Sequence, residues 1–302
     1  MWMTIQEAYK GFMLDRSGYC SEKTLEVYQG HLRVFFGFLG ELAYMDFENL
    51  PSDLNLFTNY VLYLRSDYSG HITNTSLRSY VRPVKAFLRW CYENDLCVDF
   101  LKRVKLPKPD AIPPEPLLQD EVRRLDHCFD FSSCKGLRNY CVVHLMLDCG
   151  LRSQEVIKLH ISDIDPVHNL LHIRISKECK SRIVMIPDFL LKYILKYVGP
   201  RKIGPVFISL RNPDQPLSHN AIKLMFQDLK KASSIPRIHA HLLRHTFATS
   251  YLCGGGNLEF LRVLMGHYDY SVTKVYSSLS AQYKMLGVPV YQLDPIFFRV
   301  LG

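Results

Sequence analysis

No two of the nine cysteines stand as a C-x-x-C pair, and no uninterrupted apolar run approaches the length of a membrane span. An odd, scattered set of thiols argues against a disulfide framework and against zinc, and points to reduced cysteines in a cytoplasmic compartment. No secretory leader is expected either: Met1-Trp2-Met3-Thr4-Ile5-Gln6-Glu7 is polar and reads as a helix opening. Internal repeats and low-complexity tracts are absent, which excludes solenoids and disordered linkers. What remains is a globular chain of 302 residues, 48% hydrophobic and 22% charged, long enough for two domains.

The net charge of +8 is unevenly placed. Residues 1–110 hold 13 Lys+Arg against 13 Asp+Glu, so the whole excess lies in residues 111–302. A basic domain suits a polyanionic partner, although a solvated surface with a positive bias would look the same.

The first hundred residues predict four helices. Thr4-x-x-Glu7 is a capping box. Leu25, Tyr28, Leu32, Phe35, Phe36 and Leu39 recur at steps of three and four, as one apolar stripe requires. A third segment carries Leu54, Phe57, Val61 and Leu64, and a fourth carries Leu77, Tyr80, Val84 and Phe87, with Thr75 as its cap. Residues 1–106 therefore read as a helical bundle. Residues 107–116 contain five prolines, which lack an amide donor and favour an extended, stiff linker. Lys102, Arg103, Lys105 and Lys108 around it are candidates to follow a phosphate backbone, or to be simply solvated.

Residues 117–302 read as mixed. Helices are expected around Asp120–Leu125, Leu137–Leu147, Phe189–Val198, Ser218–Lys231, His241–Leu252 and Leu258–Leu264. Leu170 to Ile175 and Arg182 to Ile186 are β-branched runs that predict a hairpin, with Lys177 and Lys180 at its tip. The expected fold class is mainly α with a small antiparallel sheet.

An ordered polar set runs through this second part. Arg152 and Glu155 follow Gly150; then come Lys177, His241, Arg244, His245, His267 after Gly266, and Tyr276. Arginine forks grip phosphate oxygens, histidines donate to them or move protons, and a phenol flanked by cations can attack phosphorus. His241 and His245 share a helical face, but Leu242 stands where a zinc protease carries glutamate, so no metal is expected. Lys177 could supply a leaving oxygen with its proton, and Lys180 is its rival. His245 and Glu155 are expected to support the set from behind.

In that order the motifs resemble the tyrosine recombinases, the phage integrase family, over essentially the whole chain. Gly150-Leu151-Arg152 with Glu155 matches its first arginine block, and residues 176–182 match its lysine hairpin, with Ser176 and Glu178 where glycines are usual. His241-Leu242-Leu243-Arg244 matches its H-x-x-R box, Met265-Gly266-His267 its Leu-Gly-His element, and Tyr276 its nucleophile. The resemblance implies a core-binding domain, a linker and a catalytic domain with a C-terminal tail. It also implies attack by Tyr276 on DNA through a 3′-phosphotyrosine, with no cofactor. The implied partners are double-stranded DNA with paired core sites, a homotetramer on that DNA, and an accessory protein that sets direction. Integration, excision and dimer resolution all fit. A type IB topoisomerase-like relaxing enzyme, or a catalytically silent DNA-binding regulator of the same fold, are the competing readings. The apolar tail from Leu293 to Leu301 is expected either to enter a neighbouring protomer or to dock on its own domain.

Overall fold

Thr4 starts the first helix as its spacing from Glu7 predicts. The Glu7 amide donates to the threonine hydroxyl at 3.2 Å, and the Thr4 amide donates to the Glu7 carboxylate at 2.9 Å. The computed structural model describes residues 3–50, 55–68, 72–101, 106, 114–174, 181–266 and 270–298, and the chain divides into two units, Met1–Ile112 and Pro113–Gly302.

The first unit is helical: α1 (Ile5–Ser17), α2 (Glu22–Leu39), α3 (Leu56–Tyr63) and α4 (Asn74–Glu93). Thr73, not Thr75, caps α4, because its hydroxyl accepts from the Ser76 amide at 3.2 Å. The apolar stripes meet in one core, where Phe12, Phe35, Phe57 and Phe87 are fully buried. Phe12 and Phe87 cross edge-to-face at 5.5 Å. Each such ring contributes about 1.5–3 kcal/mol of burial, which is what holds a small bundle together.

In the second unit, α5 (Gln119–Asp126), α6 (Cys134–Leu147) and the short α7 (Ser153–Ile157) precede a sheet. Its strands β1 (Ile164–Asp165), β2 (Leu170–Ile173) and β3 (Arg182–Met185) pair antiparallel in sequence order. Helices α8 (Asp188–Val198), α9 (His219–Ser233), α10 (Ala240–Cys253), α11 (Leu258–Met265) and α12 (Tyr270–Met285) follow. The fold is therefore mainly α with a small antiparallel sheet, as the patterning predicts.

Helix α10 sets the position of Arg244 and His245. Every residue from Leu242 to Leu252 is buried, between α6 and α12 among others, so the helix has no solvent face over that stretch. Any arginine or histidine it carries there is forced into the interior. The sequence does not announce α12, because Ser271-Val272-Thr273 and its serines are weak helix formers. Packing against α10 and α11 overrides that preference.

Residues 291–298 dock on their own unit. The Tyr291 amide donates to the Leu117 carbonyl at 3.1 Å, Leu293 and Phe297 are buried, and the Phe298 ring stacks on Tyr251 at 5.7 Å. Among the described residues no helix is long and apolar enough to cross a membrane.

Candidate active site

Two glycines shape the site. Gly150 lies just past α6 at φ +65°, and a Cβ there would stand 2.5 Å from the Phe247 ring, so only glycine fits. Gly266 ends α11 at φ +59°. Their turns aim backbone carbonyls inward. Arg244, on α10, donates to the carbonyl oxygens of Gly150 and Met265, and Arg152 donates to that of Gly266 at 3.3 Å.

Glu155 joins the cations. Its carboxylate accepts from the Arg152 amide at 2.7 Å and from the Arg152 guanidinium at 3.1 Å. It takes both terminal nitrogens of Arg182 at 2.8 and 2.9 Å, and lies 4.0 Å from Arg244 Nη1. Burial pushes the carboxyl's ionisation up, but the Arg182 fork outweighs it and holds the group at about 2. One anion thus gathers three arginines that the chain separates widely. Arg244 is only 5% exposed; burial, then the neighbouring Arg152, draw its ionisation down against the pull of Glu155. It is not the surface residue that a solitary reading of the helix would allow.

Tyr276 is half-buried on α12, and its ring centroid lies 5.0 Å from that of His245. Burial raises the phenol's ionisation, whereas Arg244 and Arg152 both lower it. His241 sits in the exposed first turn of α10. Its ionisation is lowered by partial burial, then by His239, Arg244 and Arg152, which favours the neutral imidazole. His245 is buried and pushed down to about 4 by desolvation, and its Nε2 has no hydrogen-bond partner. The structure accordingly brings Arg152, Glu155, His241, Arg244, His245 and Tyr276 into one electrostatic neighbourhood. Lys177, its rival Lys180, His267 and the linker cations Lys102, Arg103, Lys105 and Lys108 lie outside the described residues. Among the described residues no group of three His, Cys, Asp or Glu could hold a metal.

Two features are not announced by the residue order. In the sequence Arg182 is one residue of the expected hairpin. Yet Arg182 and Val184 are buried while Ile183 between them is exposed, so strand alternation alone turns the guanidinium inward. In the other unit, Arg82, Lys85 and Arg89 are exposed along α4 at steps of three and four, in line with Arg78. The overall charge balance of that unit hides this basic stripe.

The chain is similar to known proteins in sequence and in fold. The model of the phage integrase family matches residues 115–282. A tyrosine recombinase XerC of Staphylococcus saprophyticus is 26% identical over 287 residues, covering 91% of this chain and 93% of the relative. A tyrosine recombinase XerC of Chlamydia trachomatis is 29% identical over 243 residues, covering 78% of this chain and 77% of its own. Among solved structures, the Tn1549 transposon integrase in complex with transposon right end DNA superposes with a TM-score of 0.74 at 16% identity, over 94% of this chain and 100% of that one.

Proposed function

We propose, for a chain that belongs to the phage integrase family, the chemistry of a tyrosine site-specific recombinase: cleavage and rejoining of DNA strands through a covalent protein–DNA ester. Tyr276 attacks the scissile phosphate. The bond from phosphorus to the 5′ oxygen breaks, leaving a 3′-phosphotyrosine and a free 5′-hydroxyl. A partner strand's 5′-hydroxyl reverses the step, so the ester conserves the bond energy and no cofactor is required.

Arg152 and Arg244 hold the non-bridging oxygens and the charge that grows on them. A preorganised donor of this kind is worth about 3 kcal/mol in the transition state. Neutral His241 is in the form that can accept the phenol proton. His245 braces the Tyr276 ring, and Glu155 orients the arginines. Lys177, or Lys180 beside it, protonates the leaving 5′ oxygen, and His267 adds a further phosphate contact; both roles rest on motif order. Residues 1–106 form the core-binding domain, 107–116 the linker and 117–302 the catalytic domain. The α4 stripe and the linker cations Lys102, Arg103, Lys105 and Lys108 follow the duplex backbone. Four protomers act on paired core sites in the cytoplasm, with an accessory protein biasing direction on a mobile element or a replicon dimer.

The observation that supports this most is that Arg152 and Arg244 gather around Glu155 and both lower the ionisation of Tyr276 within one chain. The test is a nicked suicide duplex made from DNA flanking the encoding gene. The wild type is expected to trap a covalent adduct and Tyr276→Phe to trap none. An adduct that survives this substitution overturns the nucleophile.

A further inference from the structure

At the start of α6, far from the arginine turn that follows its end, lies a cleft of about 490 Å³ lined by Lys135, Arg138, Asn139, Arg211, Asn220 and Asp228 among others. Arg138 is the unusual member. It is only 6% exposed, yet none of its partners among the described residues is a carboxylate. Nε and Nη2 donate to Asn139 Oδ1 at 3.3 and 3.1 Å, and Nη1 donates to the Ile208 carbonyl at 3.2 Å. A guanidinium has five donors, so one N–H on each terminal nitrogen is left over. Burial lowers its ionisation, and only Tyr197 and Cys134 act against that.

A buried cation without a counter-anion is costly unless a ligand supplies one. Every other buried arginine described here is answered by Glu155. Around Arg138 the charges lean the same way: Lys135 and Arg211 are exposed at the rim, and the one lining carboxylate, Asp228, stands 3.8 Å from Lys135. Two planar N–H donors match the two non-bridging oxygens of a phosphodiester.

We propose that this cleft is a second phosphate site, in which Arg138 grips a DNA backbone phosphate remote from the scissile one. The proposal rests on the recombinase reading and deepens it. Along the α6 axis, Arg138 and the arginine turn are separated by roughly 15 Å. A duplex carries one charge per about 1.7 Å of its axis, so many phosphates fall within that reach. Arg138 takes no part in the bond exchange; it fixes where the duplex lies, with Lys135 and Arg211 closing over the same phosphate.

The test measures binding of a labelled random-sequence duplex by the full chain, between about 50 and 200 mM salt. Arg138→Gln is expected to flatten the slope of log affinity against log salt by about 0.9, a three- to fourfold smaller loss across that range. Because Arg138 is buried, the double variant Lys135→Ala, Arg211→Ala serves as a second probe at exposed positions and is expected to flatten the slope as well. Lys231→Ala, on α9 but not among the residues that line the cleft, is the control and should keep the wild-type slope. An unchanged slope in a folded Arg138→Gln, or in the double variant if Arg138→Gln does not fold, overturns the proposal. So does an equal loss in Lys231→Ala, which would mark a general charge effect. Inorganic phosphate that raises the wild-type melting midpoint while the duplex slope stays unaltered would assign the cleft to a small free anion instead. A wild type that binds no duplex at all refutes the recombinase reading itself.

Discussion

Glu155 and Arg182, 27 residues apart, meet in a bidentate ion pair at 2.8 and 2.9 Å, with their side chains 10% and 5% exposed. This pair fixes the carboxylate that in turn holds Arg152 and faces Arg244. The site is therefore built outward from a buried anion to the cations that surround it.

Removing one member strands the other. Arg182→Met leaves a buried carboxylate and should cost about 3–5 kcal/mol in chemical unfolding, whereas Arg182→Met with Glu155→Leu should recover much of that. The double variant should still fail to cleave, since Arg152 loses its brace. Recovery of cleavage together with stability would show that Glu155 does not orient the arginine.

The same pair gives a signed pH dependence. The Glu155 carboxyl lies at about 2 in the fold against 4.5 ordinarily, so the unfolded chain binds the proton more readily. Its stabilisation is complete above pH ~4.5 and is lost as pH falls toward ~2, about 3 kcal/mol in all. Glu155→Gln should be less stable than wild type at pH 6, with the gap narrowing below pH ~4. A constant gap contradicts the assignment.

A second network titrates in the opposite sense. His144 is buried between Asp148 at 2.6 Å and Asp126 at 2.9 Å, and Tyr291 donates to the other Asp148 oxygen at 2.7 Å. Burial pushes the imidazole down, yet the two carboxylates outweigh it and raise it to about 9. Its stabilisation is full below the unfolded value near ~6.5 and disappears as pH rises through ~9. The melting midpoint should fall between pH 7 and 10 in the wild type and stay flatter in His144→Gln. Asp148 closes α6 two residues before Gly150, so Tyr291 ties the C-terminal segment to the active-site turn. Tyr291→Phe should cost about 1.5–3 kcal/mol.

Gly150→Ala should abolish cleavage even where DNA binding persists. The added methyl meets Phe247 at 2.5 Å, and φ +65° strains any alanine. Adding Phe247→Leu relieves the clash but not the backbone, so only part of the stability should return. Full recovery of cleavage would make the turn dispensable.

Much of this was legible in the chain, for identifiable reasons. Arg152, His241, Arg244 and Tyr276 stand out as candidates in the sequence because chemistry-bearing residue types recur in a fixed order, which needs no knowledge of packing. The helices of the first unit followed from apolar steps of three and four. Arg182 escaped because its meaning depends on a partner 27 residues away; strand alternation placing it beside Val184 was the available signal. Helix α12 escaped because its local propensity opposes its tertiary surroundings. Thr73 and Thr75 are both sound caps, and only the hydrogen bond to Ser76 decides between them.

A catalytic Tyr276 built this way must serve the arginines of its own chain, since both guanidiniums lower the ionisation of that phenol within one molecule. Mixing Tyr276→Phe protein with Arg152→Ala protein on the suicide duplex tests this directly. Each variant lacks what the other keeps, so action within one chain leaves the mixture without a covalent adduct. Adduct formed by the mixture, and by neither protein alone, would mean that the tyrosine is delivered to a neighbouring protomer and would contradict the site described above.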